Sequence, residues 1–158
     1  MATFDRDTLQ RLHDLQEIAI RIGKHPDKAV TIWVAVAGEG VFVRSVRGPK
    51  GQWYRDLARG GAAELDFAGR RLAVQAIPAS DQAEIDQASR EYLRKYRTSP
   101  YAKTMVSADT LPTTLRLEPR YVLFASQPAW ERHDLYDKLV ARAACDRCLN
   151  IRPEPSLS

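Results

Sequence analysis

The segment Val41–Leu57 gathers the residue types from which a small-molecule site can be built. Arg44, Arg47 and Lys50 supply cationic donors, Ser45 a hydroxyl, and Trp53 and Tyr54 flat apolar faces. Gly48-Pro49-Lys50-Gly51 is rich in turn formers. Trp53, Tyr54 and Leu57 follow at helical spacing, so the segment reads as strand, tight turn and short helix. Backbone N–H groups at a helix start, flanked by Arg and Lys, suit an anion. A phosphate joined to an aromatic ring matches that chemistry, although the residues alone name no ligand. The same charges would also suit a solvated barrel edge; their coincidence with an aromatic helix start favours binding. Trp53 reads first as a packing residue and second as a stacking platform.

Other chemistry is sparse. Cys145 and Cys148 stand two residues apart, but a structural zinc needs four ligands and no second pair exists. A redox pair usually opens a helix after a strand, whereas this one closes an expected helix near the end of the chain. No metal site is therefore expected. His13 and His25 are isolated, and no Ser–His–Asp or Cys–His arrangement or paired carboxylate stands out. Tyr92 and Tyr96 read as core, and Tyr101, after Pro100, as a loop residue able to close over a pocket.

The elements that must position these residues follow from periodicity. Leu9, Leu12, Leu15, Ile18, Ala19 and Ile22 form a helical stripe, predicting one helix over Asp5–Ile22 with a possible break near Asp14. Val30–Ala37 reads as a strand apolar on both faces, as in a barrel. Gly38-Glu39-Gly40 turns it into a second strand, Val41–Arg47. After the short helix, strands are expected at Glu64–Ala68 and Arg71–Ile77. Ser80 is expected to cap a long helix, Asp81–Arg97, whose Ile85, Ala88, Tyr92 and Tyr96 face inward. Thr113–Glu118 is a last strand. Beyond it, Tyr121–Phe124 reads as a strand, Pro128–Ala144 as a helix, and the end of the chain as frayed. Hairpins dominate, so the expected fold is α+β: an antiparallel, closed or half-closed barrel with flanking helices, spanning 1–120, and a C-terminal extension, 121–158.

A chain of 158 residues is large enough for a real core, and its 44% apolar and 28% charged residues are ordinary for a globular protein. The net charge of +4 is concentrated near the opening segment: five basic residues and one acid lie between Val41 and Gly60. That distribution points to a local anionic ligand, and no nucleic-acid-binding module is visible. No apolar segment follows Met1 and no run is long enough to span a bilayer, so a cytoplasmic protein without nucleic-acid or membrane partners is expected.

The segments Thr31–Val34, Val43–Gly48 and Trp53–Arg55, Tyr96 with Ser99-Pro100-Tyr101, and Thr114–Arg120 together resemble a family of bacterial proteins, DUF2255, over roughly Leu9 to Arg120. That family in turn resembles the split β-barrel superfamily, which includes pyridoxamine-phosphate oxidase and the deazaflavin-dependent nitroreductases. The resemblance implies FMN or F420 bound at a homodimer interface and an oxidoreductase acting on a small molecule. It assigns cofactor binding to Arg44, Ser45, Arg47, Gly48, Lys50, Trp53 and Tyr54, with the ring near Trp33 and Trp53, and assigns no catalytic residue. A non-redox binding protein, or a flavin-independent enzyme on the same fold, is the second reading. An interaction module that docks through its C-terminal helix is the third.

Overall fold

The computed structural model describes residues 3–23, 25–59 and 61–120. The elements are α1 (Arg6–Asp14), β1 (Glu17–Ile22), β2 (His25–Ala37), β3 (Gly40–Val43), α2 (Gln52–Leu57), β4 (Ala62–Phe67), β5 (Arg70–Pro78), α3 (Gln82–Lys95) and β6 (Leu115–Pro119). Six antiparallel strands close into a barrel in the order β1-β2-β3-β6-β5-β4. The expected α+β barrel is therefore present, and closure leaves no free sheet edge. The strand and helix expected beyond Arg120, and Cys145 and Cys148, lie outside the described residues.

The helix expected over Asp5–Ile22 divides in two. Asp5 caps α1 by accepting from Thr8 N at 2.8 Å, and Leu15 N closes the helix on Arg11 O. From Glu17 the chain is a strand whose Ile18, Ile20 and Ile22 point into the core. Helical spacing of Leu15, Ile18 and Ile22 hid an alternation that includes Ile20. Pairing decides the outcome: β1 lies between β2 and β4, and β-branched residues fit that ladder. Two smaller corrections follow. Asp81, not Ser80, caps α3, with Oδ1 accepting from Ala83 N at 3.0 Å. β3 stops at Val43 instead of Arg47, because Arg44 and Ser45 leave the ladder for side-chain partners.

Alternation fills the barrel. Val34 and Val36 of β2, Val41 and Val43 of β3, Leu65 and Phe67 of β4, Val74 of β5 and Leu115 and Leu117 of β6 point inward. Leu12 of α1 and Leu57 of α2 plug the same core. Each such side chain contributes about 1.5–3 kcal/mol by leaving water. The β4–β5 hairpin turns at Ala68 and Gly69, both at positive φ, which matches the right-handed twist of the flanking strands.

The outer face of β2 has its own cover. Ala35 packs with Tyr92, Tyr96, Ala102 and Met105, and Trp33 joins this second cluster. α3 thus covers, within one chain, much of the outer apolar face of β2.

Candidate functional site

β2, the exit of β3, α2 and the loop after α3 meet around a cavity of about 420 Å³. Trp33, Trp53 and Tyr101 supply aromatic walls, and Ile32, Val46 and Met105 apolar ones. Glu17, Thr31 and Arg44 are its polar lining. The volume falls in the range, about 300–1,000 Å³, of small-molecule sites.

Each wall is held from behind. Trp33 stacks on Tyr96 with centroids 4.1 Å apart and planes 2° apart. Tyr96 is fixed in turn: its hydroxyl donates to Gln16 O at 2.6 Å and accepts from Val34 N at 3.2 Å. Trp53 packs on the barrel core and meets Tyr54 edge to face, at 6.4 Å and 88°. Its packing and cavity-lining roles thus coexist. Tyr101 stands at the mouth, 61% exposed, and Val46 beside it is 50% exposed.

Arg44 is the largest fully buried side chain, at 2% exposure. Its Nε donates to Thr114 Oγ1 at 2.8 Å, Nη1 to Met105 O at 2.9 Å and Nη2 to Ile85 O at 2.8 Å. Its guanidinium also lies 5.2 Å from the centroid of the Tyr92 ring. Burial pulls its pKa below the ordinary arginine value, and Tyr92, whose hydroxyl donates to Phe42 O at 3.1 Å, is pushed up by the same burial. One residue thereby joins α3 and the loop between α3 and β6 to the rim of β3.

The other expected site residues divide between scaffold and surface. Ser45 is buried; its N–H donates to Thr113 Oγ1 at 3.1 Å, while its Oγ has no partner among the described residues. Gly48 has φ +60°, and a Cβ there would lie 3.0 Å from Asp109 O, so only glycine fits. The turn uses its own amides: Gly48 N donates to Ser45 O at 2.8 Å and Gly51 N to Gly48 O at 3.2 Å. Arg47 and Lys50 are exposed, and neither makes an ion pair or side-chain hydrogen bond among the described residues. Tyr54 packs against the core and does not line the cavity. The structure thus brings Arg44 and Trp53 to the cavity, together with Trp33, and leaves Arg47 and Lys50 on the turn beside it.

Sequence reasoning missed Glu17, Thr31 and Met105 as cavity residues. Glu17 was absorbed into the over-long helix. Its register opposite Trp33 becomes visible only once β1 is recognised as a strand. Among the described residues, no cluster of His, Cys, Asp or Glu is arranged to hold a metal, and no helix is long and apolar enough to cross a membrane.

Residues 8–117 match the sequence profile of DUF2255, described as an uncharacterized protein conserved in bacteria. The chain belongs to the DUF2255 family. No curated protein matches it. Among solved structures, ChuZ from Campylobacter jejuni is similar at TM-score 0.50 and 11% identity, over 73% of this chain and 52% of that one. The FAD and heme binding protein from Mycobacterium smegmatis gives TM-score 0.45 and 17% identity, over 72% of this chain and 64% of that one. This DUF2255 chain therefore spans about half the length of the first and under two thirds of the second. The likeness to ChuZ is one of fold.

Proposed function

We propose that this DUF2255 protein is a cofactor-binding split barrel. It takes FMN or F420 in the cavity between Trp33, Trp53 and Tyr101 and acts as an oxidoreductase on a small molecule. The observation that carries this reading is the cavity itself: three aromatic side chains and a buried arginine line one opening, and an exposed cationic turn lies beside it. A planar ring suits the aromatic walls. The exposed, uncommitted Arg47 and Lys50 suit its phosphate, with Ser45 and Gly48 shaping the turn beneath them. Tyr54 supports Trp53 from the side. When bound, such a ring supplies the hydride chemistry; the protein positions it and excludes water.

We place the protein in the cytoplasm as a homodimer, with Val46 and Tyr101 meeting the second copy at the cavity mouth; light scattering should then give about twice 17.8 kDa. The test of the cofactor reading is titration with FMN and F420 separately, followed by tryptophan fluorescence. Saturable quenching by one of them supports it. Quenching by neither favours a non-redox binding protein on the same fold.

A further inference from the structure

Arg44 is a buried cation without a counter-charge. No carboxylate approaches it within 4.0 Å among the described residues. Its three nitrogens donate to a hydroxyl and two backbone carbonyls, all neutral. Asp86 acts on it only through space, and the carboxylate of Asp86 is instead held by Gln82 at 2.8 Å. Arginine remains charged even when desolvated, and an unbalanced buried charge is costly to a fold. Three nitrogens with one acceptor each leave two N–H groups of the guanidinium uncommitted, and Arg44 lines the cavity.

We propose that the cavity selects a planar aromatic ligand bearing negative charge, and that Arg44 is the residue that sets this preference. Glu17, the one acid of the lining, opposes it, so the two charges must be weighed. Glu17 is exposed, and water screens its field; Arg44 is 2% exposed, and its field acts through low-dielectric surroundings. The buried charge prevails. Trp33, Trp53 and Tyr101 add affinity for the ring without discriminating its charge. The acceptors of Arg44 come from α3 and from both ends of the loop between α3 and β6. The guanidinium is therefore held in place before any ligand arrives, and its selectivity carries little ordering cost.

The inference concerns the same cavity but does not depend on a flavin occupying it. Its test uses three probes of one ring system: 2-naphthoate, 2-naphthamide and 2-naphthylmethylammonium, titrated calorimetrically into the cofactor-free full chain. Naphthoate should bind about tenfold or more tighter than the neutral amide, the worth of one charge-assisted hydrogen bond, and the ammonium probe weakest. The preference should persist in high salt, since it arises from a buried group. Glu17→Gln should raise naphthoate affinity less than twofold, and Arg44→Lys should keep part of the preference. Equal binding of acid and amide, tightest binding of the cation, or no binding of any probe would overturn the proposal. Loss of the preference in salt would move the selectivity to the surface turn and overturn the role of Arg44.

Discussion

Arg44 and Arg47 are three residues apart and have opposite lives. Arg44 turns inward, fills a buried site and is engaged by α3 and the loop before β6. Arg47 turns outward with Lys50 and has no partner among the described residues. The same division runs through the whole segment: Ser45 and Gly48 belong to the inner half, and Lys50 to the outer. Residue type does not distinguish a cation held in place from an open one; the acceptors around it do. An arginine whose three nitrogens all meet acceptors is fixed and keeps few donors for a ligand, whereas one with every donor open can follow a ligand's charge.

The contrast is broken most severely at its inner end. Arg44→Met should destabilise the fold by about 3 kcal/mol, because Met105 O and Ile85 O lose their donor in a buried place. A lowered urea midpoint at unchanged slope checks this. A variant as stable as the parent would mean that desolvating the guanidinium costs as much as its bonds return. Next in size, Gly48→Ala should cost about 1–2 kcal/mol, from forced positive φ and contact with Asp109 O. A thermal melt reads it directly.

The scaffold that backs the inner half also has a pH signature. Burial lowers the pKa of Lys95 to about 8, and raises that of Tyr96 to about 12. For Lys95 the unfolded chain binds the proton more strongly, so its contribution to stability is lost as pH falls from the ordinary lysine value toward 8. For Tyr96 the folded chain holds the proton more strongly, so stability is lost as pH rises from the ordinary tyrosine value toward 12. Stability should therefore rise through the pH 8–10 interval and then fall. Lys95→Met should abolish the rising limb of the denaturation profile and leave the falling one. The smallest stability effect belongs to the outer half: Arg47→Ala and Lys50→Ala should each shift stability by less than about 0.5 kcal/mol.

The barrel was legible in the sequence because β4, β5 and β6 alternate, β2 is apolar on both faces as a barrel strand is, and Gly38-Glu39-Gly40 and Ala68-Gly69 mark two hairpin turns. β1 was not, because Leu15, Ile18 and Ile22 fit a helix as well as a strand, and only its ladders with β2 and β4 choose between them. The aromatic part of the site was partly legible: Trp33 and Trp53 meet at one cavity. The fate of Arg44 was not. Its acceptors lie 41 to 70 residues away in the chain, and no local pattern announces them. Glu17 and Met105 reach the cavity for a similar reason, through strand register and a loop that only the closed barrel places.

The central claim is that the outer half of the segment holds the phosphate of a ring-bearing ligand while the inner half holds the fold and fixes Arg44 at the cavity. It is tested most directly by comparing FMN with riboflavin, which has the ring and no phosphate, on the parent protein and on Arg47→Ala. A charge-assisted hydrogen bond is worth about 1.5–3 kcal/mol, so FMN should weaken by about one to two decades while riboflavin binding and the melting temperature barely change. Arg47→Lys should recover only part of the loss, because the planar fork is gone. Equal weakening of FMN and riboflavin, or unfolding of Arg47→Ala, would contradict the account.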